Sequence, residues 1–456
     1  MNFLEGRKLI KQKEYGKALD VFFNLQKNGI KNKTIYFYLG LIYSELNDFN
    51  KSIFYYNKYL TLEPNSISAL HNLAIINQSI GELDTAKEIY LKLIKQDKSN
   101  IRAYFGLLML NINNLTIEHY LQINQIKKSN KFSLYEKSLV NFILSKKEKE
   151  NKNYKKEIEY LEEFNSDSYN SNYAYNQSSQ FYYNEIINNF YNKINFIGND
   201  IDLKKTKNFI PIFIIGLPRS GSTLIESILT SSDEKITTCG ESHVINMSLL
   251  EQVGHKIYIE NFDIKKFIFE IDNINFQKSI LKRYNQFNSY NEKESSSVID
   301  KSLENFYNIE AILNIFPNAK FLHTYRNAID ATISIYQAML SELSWTHKIE
   351  DILNYINNYK KIMKHFYLKY PEKIMDINLE NFTQDSERVS EKIFEFCQLK
   401  WNKKALEFYK RNNLFSKTAS FNQIRKKVLV YDTKKYEPYV HLLQNYKNKY
   451  NWLKIN

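Results

Sequence analysis

Ile210-Pro-Ile-Phe-Ile-Ile-Gly-Leu-Pro-Arg-Ser-Gly-Ser-Thr-Leu-Ile-Glu-Ser-Ile-Leu-Thr-Ser231 is the stretch that decides how this chain is read. The apolar run Phe209 to Ile215 has the length and composition of a buried strand. A tight loop bounded by Gly216 and Gly221 follows. Ser222 and Thr223 then open a stretch with Leu224, Ile225, Ile228 and Leu229 on one helical face. Strand, glycine-bounded loop and helix in that order make an anion site. Glycine lets backbone N–H groups approach a phosphate, and the helix start adds unpaired donors and a positive dipole end. Ser220, Ser222 and Thr223 contribute hydroxyls, Gly221 close approach, and Arg219 a planar cationic fork.

The spacing is that of a nucleotide P-loop with one change. A P-loop enzyme places Lys directly after the second glycine, and that position here is Ser222. The positive charge lies inside the loop instead, at Arg219, which points to a phosphate-bearing ligand other than a magnesium nucleoside triphosphate. A second anion site is readable downstream. Ala319 to Tyr325 reads as a strand and Asn327 onward as a helix. Arg326 therefore stands at a strand's carboxyl end, where open α/β sheets bind ligands, and Ser334 follows on the helix.

Pro218-Arg-Ser-Gly-Ser-Thr223, with Arg326 and Ser334 about a hundred residues on, resembles the 5′-phosphosulfate and 3′-phosphate motifs of the sulfotransferases. The family's usual Pro at 328 is Ala here. The resemblance implies 3′-phosphoadenylyl sulfate (PAPS) as donor, with no metal. It implies that Glu241 or His243, in Thr237-Thr-Cys-Gly-Glu-Ser-His243, takes the proton of an attacking hydroxyl. Asp300-Lys-Ser-Leu-Glu-Asn305 is similar to a segment of the tyrosylprotein sulfotransferases, which makes Lys301 a stabiliser of charge on the transferring group. Thr418-Ala-Ser-Phe-Asn-Gln-Ile-Arg425 resembles the family's closing segment, adding Ser420, Arg425 and Lys426 as cofactor contacts. Lys427 replaces the usual Pro there.

Ahead of this half, a 34-residue self-comparison succeeds. Tyr15, Phe49 and Leu83 align, as do Ala18, Ser52 and Ala86, then Phe22, Tyr56 and Tyr90, then Gly6, Gly40 and Ala74. Small residues on both helices of a pair with an aromatic four later match the tetratricopeptide (TPR) pattern. Small residues admit close helix approach, and the aromatics fill the space to the next pair. Such a solenoid presents a groove for a partner protein or an extended peptide. Tyr135 to Ser145 and Tyr154 to Phe164 read as further helices, Asn165 to Gln180 as a polar linker, and Phe181 to Phe196 as one more helix. Asp351 to Tyr370 reads as a long amphipathic helix and Lys373 to Asn378 as a strand.

The expected architecture is an α-helical TPR solenoid over 1–130, degenerate helical repeats and a linker over 131–200, and a P-loop-like α/β sulfotransferase domain with a mostly parallel sheet over 201–456. Net charge is +13 over 456 residues, but the lysines are scattered through Asn-, Ile- and Tyr-rich sequence, so nucleic acid is not the expected partner. Cys239 and Cys397 make neither a disulfide framework nor a metal set. No apolar run approaches membrane-spanning length and the first residues lack a signal-peptide core, which makes a cytoplasmic protein the expectation. The function implied is sulfuryl transfer from PAPS to an acceptor hydroxyl of a peptide tyrosine, a saccharide or a small hydroxylated molecule. A P-loop small-molecule kinase and a non-catalytic TPR adaptor with a decayed enzyme domain are the alternatives.

Overall fold

The computed structural model describes residues 3–30, 32–129, 131–186, 188, 191–197, 210–232, 236–257, 269–288, 297–411 and 423–454. Their contacts divide them into two compact units, one comprising chiefly Met1–Phe132 and the other beginning at Ser133. None of the described helices is long and apolar enough to cross a membrane.

The first unit is a run of helical pairs: α1 (Phe3–Lys11) with α2 (Tyr15–Lys27), α3 (Thr34–Glu45) with α4 (Phe49–Leu62), α5 (Ile67–Ile80) with α6 (Leu83–Gln96), and α7 (Ile101–Leu110) with α8 (Ile117–Lys128). The 34-residue comparison gave three pairs, and the structure adds a fourth. Several helix starts have a local cause. Asp48, Ser66 and Asn100 accept from the backbone N–H groups of Lys51, Ala69 and Ala103, capping α4, α5 and α7. The aligned small residues meet the aligned aromatics directly. A Cβ on Gly6 would lie 2.6 Å from the Phe22 ring, and one on Gly40 3.0 Å from Tyr56. The aromatic thus fills the space inside its own pair as well as reaching the next: Tyr90 lies against Gly106 of the following pair.

The second unit opens with a helical hairpin, α9 (Leu134–Glu150) and α10 (Tyr154–Ser171), followed by α11 (Tyr173–Phe181). Asn165 to Gln180 is therefore helical over most of its length and not a linker. Its asparagines are built into the fold: buried Asn165 donates from Nδ2 to the Leu161 and Tyr336 carbonyls (2.9 and 3.2 Å), and buried Asn176 to that of Tyr169 (2.8 Å). Such side-chain-to-carbonyl bonds, one of them across 171 residues, override the turn preference of the residue type. The helix expected from Phe181 to Phe196 is present over 181–186, and its far end is corrected. Ile194–Ile197 is a strand, β1, paired in parallel with β4 (Phe269–Asp272). That partner lies too far along the sequence for local periodicity to reveal it.

The main sheet has five strands, in the order β3 (Ile236–Thr238), β5 (Ser297–Asp300), β2 (Ile210–Gly216), β6 (Lys320–Tyr325) and β7 (Ile374–Asn378), every neighbouring pair parallel. Ile212, Phe213, Ile214 and Ile215 of central β2 are all fully buried. A parallel strand covered on both faces has no polar alternation, which is why this run reads as continuously apolar. Helices α12 (Ser222–Ser232), α13 (Val244–Ile257), α14 (Asn273–Asn288), α15 (Ile309–Ile315), α16 (Ala328–Tyr336) and α17 (Ile349–Lys369) connect the strands. Helix α17 buries Ile352, Tyr355, Ile356, Tyr359, Ile362, Met363 and Phe366, the face its sequence predicts. Because the strands run one way, their carboxyl ends, at Gly216, Thr238, Asp300, Tyr325 and Asn378, share one edge.

Gly216 has φ +138°, and a Cβ there would lie 2.2 Å from the Thr324 carbonyl oxygen on β6. Backbone is the obstacle, so no rotamer change relieves it. Gly216→Ala is expected to destabilise the protein by about 2 kcal/mol or more, measured by urea denaturation.

Candidate active site

The loop after β2 is held in an unusual backbone. Arg219 has φ +67° and Gly221 φ +89°, and a Cβ on Gly221 would meet Leu379 Cδ1 at 2.7 Å. A non-glycine residue in the left-handed region stores strain, and here it turns the Arg219 side chain inward. Ser220, Ser222 and Thr223 are buried beside it. The Ser220 hydroxyl donates to the Leu217 carbonyl, closing the loop on itself.

At the end of β6 the local logic is capping. Asn327 accepts from the N–H groups of Ile329 and Asp330 and starts α16, while its own N–H donates to Glu380 Oε1 (2.8 Å) beyond β7. Ala328 occupies the first helical position, where proline is also favoured. Arg326 donates from Nη2 to the Asp330 carbonyl (2.7 Å) and lies over the Tyr436 ring, 5.2 Å from its centroid. The Tyr431 hydroxyl donates to Asp330 Oδ2 (2.6 Å).

Tyr436 ties the two anion motifs together. It is 3% exposed, packs under the Arg326 guanidinium, and both Ser334 and Arg326 favour its ionised form. Burial pushes its phenol up, but Arg326 and Lys435 outweigh that, and its pKa falls to about 8. Arg219 interacts electrostatically with both Tyr436 and Arg326. Burial and the Arg326 charge depress the Arg219 guanidinium, and Tyr436 works against them. Arg219, Arg326 and Ser334, read from two motifs about a hundred residues apart, thus converge on one buried phenol.

Lys301 follows β5 and is 1% exposed. A buried ammonium needs carboxylate partners, and it has two. Glu241 Oε1 lies at 2.7 Å and Glu226 Oε2 at 3.7 Å. Burial pulls the Lys301 pKa down, and Glu241 and Glu226 more than offset it. Burial holds the Glu226 carboxyl above its ordinary value, against the pull of Lys301 and of a Thr238 hydrogen bond. The charge on Lys301 is therefore matched mainly by Glu241, whose side chain is 47% exposed. His243 sits two residues on, with its Nδ1 against Glu304 Oε1 and its backbone N–H donating to Ser302 Oγ (2.8 Å). Asp300 accepts from Tyr284, Ser242 and the Ser302 N–H (2.7, 3.0 and 2.8 Å), which fixes the β5 terminus under Lys301.

Among the expected contacts, Ser420 lies outside the described residues. Arg425 is half-buried on a turn packed against α12, and Lys426 is exposed. Sequence reasoning missed Glu226, Tyr431 and Tyr436. Glu226 left one signal, a carboxylate within the apolar-periodic stretch of α12. The tyrosines left none, being two of 35. Among the described residues no group of three or more His, Cys, Asp or Glu could hold a metal ion.

Residues 211–403 match the model of the sulfotransferase family, and residues 34–66 and 67–100 match the tetratricopeptide repeat. These matches find a sulfotransferase domain and TPR repeats in the chain. An uncharacterised protein of Aquifex aeolicus is 27% identical over 394 residues, 82% of this chain and 49% of that protein. The uncharacterised protein ycf37 of Guillardia theta is 34% identical over 83 residues, 18% of this chain and 46% of its own length. The chain thus spans about half the length of the curated relatives it matches. The sulfotransferase domain of the Synechococcus olefin synthase superposes with a TM-score of 0.34 at 15% identity, covering 50% of this chain and 87% of that one. Within residues 211–403, Arg219, Glu241, Lys301 and Arg326 follow the carboxyl ends of β2, β3, β5 and β6.

The depressed Tyr436 pKa has a measurable consequence. Ultraviolet titration should reveal one phenol with a midpoint of about 8, absent in Tyr436→Phe. Folding favours its phenolate. The stability it confers is complete above the ordinary value of 10.0 and disappears as pH falls through 8. An anion seated between Arg219 and Arg326 should move that midpoint back toward 10.0.

Proposed function

We propose that this chain transfers a sulfuryl group from PAPS to an acceptor hydroxyl. The observation carrying this reading is the meeting of Arg219, Arg326 and Ser334 at Tyr436. An adenosine with a phosphosulfate at one end and a 3′-phosphate at the other needs cationic anchors for both, close enough for one small molecule to bridge. Loop 216–223, through Arg219, Ser220, Gly221, Ser222 and Thr223, takes the phosphosulfate. Arg326 and Ser334 take the 3′-phosphate by charge-assisted hydrogen bonds.

In the proposed reaction the acceptor oxygen attacks sulfur in line. The new S–O bond forms as the bond from sulfur to the bridging phosphate oxygen breaks, leaving adenosine 3′,5′-bisphosphate. Glu241 takes the acceptor's proton. Its carboxylate is half-exposed, so an incoming substrate can reach it, and Lys301 beside it can shift its hydrogen bond to the departing oxygen. His243, oriented by Glu304, is the other base of suitable chemistry. Fixed cations and preorganised donors stabilise the developing charge without a metal. Ser222, where an ATP-using P-loop has Lys, weighs against a kinase. Retention of all these anion-binding side chains weighs against a decayed adaptor. A peptide tyrosine, a saccharide and a small hydroxylated molecule all supply the required oxygen, and the TPR pairs offer a surface for a peptide or partner protein.

Calorimetry of the full chain should show tight binding of adenosine 3′,5′-bisphosphate and none of comparable strength for magnesium ATP. The reverse would establish the kinase. Sulfate transfer from labelled PAPS to a peptide library should be abolished in Arg219→Ala. Glu241→Gln should lower kcat by roughly 10²–10⁴, the usual share of a general base, and His243→Asn by much less. The opposite ranking would assign the proton to His243.

A further inference from the structure

The hairpin α9–α10 lies outside the residues that match the sulfotransferase family, yet it reaches the site. Lys146 donates from Nζ to the Gln337 carbonyl (2.6 Å), and Lys149 from Nζ to Gln337 Oε1 (2.7 Å). Gln337 follows α16 directly, one turn beyond Ser334. Buried Glu157 of α10 lies 3.8 Å from Lys149 and accepts from Gln337 Nε2 (3.2 Å) and the Tyr439 hydroxyl (2.6 Å). Lys146 is within electrostatic reach of Arg219 and Lys435.

Five cations therefore surround the Ser334 helix: Lys146 and Lys149 at its far end, Arg326 at its start, and Arg219 and Lys435 within electrostatic reach. Facing them among the described residues are Glu157, Asp330 and Glu380. Glu157 is shared among three donors, and burial raises the Asp330 carboxyl. A helix carboxyl terminus amounts to about half a negative charge, which accounts for one lysine at most. Such an excess of cations around a partly buried helix favours an anion beside it. Burial, with Lys149 and Arg219, pushes Lys146 down to about 7 while Glu157 opposes. A doubly charged phosphate alongside would relieve that repulsion.

We propose that Lys146 and Lys149 complete the 3′-phosphate site, so that the donor is held from two sides, by Arg326 and Ser334 at the sheet edge and by two lysines of the hairpin. The assignment rests on the donor reading above. It extends that reading to residues carried ahead of the catalytic sheet, and it makes the hairpin part of the binding machinery.

The test compares full-length protein with Lys146→Met, Lys149→Met and Lys146→Arg. Affinity is measured by calorimetry for adenosine 3′,5′-bisphosphate and for adenosine 5′-phosphate, and the melting temperature of each free protein is recorded. Each Met variant should bind the bisphosphate about tenfold or more weakly while its affinity for the 5′-phosphate stays unchanged. Lys146→Arg should restore binding, and the melting temperature of Lys146→Met should hold or rise. A lowered melting temperature with unchanged affinities would reduce the lysines to helix caps and overturn the proposal. Equal weakening for both nucleotides would overturn the 3′-phosphate assignment. Should Lys146→Met not fold, Lys149→Met and Lys146→Arg decide the matter. If the unaltered protein binds no bisphosphate, the donor reading falls and takes this proposal with it. If it binds and the Met variants bind equally well, only the lysine assignment fails.

Discussion

Like charges gathered in a partly buried place govern this structure. Arg219 and Arg326 are near enough for each to feel the other, and both face a phenol they acidify. Left alone, such a group would be driven apart or hydrated. It is kept together because each cation is fixed by backbone: Arg219 by a left-handed loop residue, Arg326 by the Asp330 carbonyl in the first turn of α16. The parallel sheet is what makes the gathering possible, since β2, β5 and β6 deliver their carboxyl ends side by side. Lys301 shows the same economy with the opposite solution, its charge being neutralised within the protein by Glu241 and screened further by Glu226.

Much of this was legible before any coordinates. Loop 216–223 declares itself because its glycines, its Arg and the apolar run before it each have one good physical explanation. Helix α17 was readable because seven apolar side chains fall on one face, and the TPR pairs because Gly6 and Gly40 recur at the spacing of their aromatic partners. What escaped notice depended on distant contacts. β1 is a strand only because β4 lies beside it. Asn165 and Asn176 sit in helices because their amides find carbonyls to bond. Tyr436 matters only through what surrounds it, and no pattern in Lys435-Tyr-Glu437 marks it out.

The two halves of the sequence follow different rules. In the TPR pairs a contact repeats, so a single aromatic on glycine explains several helices at once, and periodicity alone recovers it. In the main sheet each contact occurs once. Its residues are recovered by chemistry, by asking which side chain a phosphate or an attacking hydroxyl would require at that strand end.

The fastening of α16 to the hairpin bears on how this protein can be divided. The carbonyls of Tyr336 and Gln337 are bonded by Asn165 and Lys146, side chains from well upstream of the first main-sheet strand. A fragment trimmed to the sheet and its connecting helices would expose those carbonyls and orphan Tyr439 from Glu157. A separable piece that keeps the carboxyl edge of the sheet intact therefore begins near Ser133, with the hairpin included.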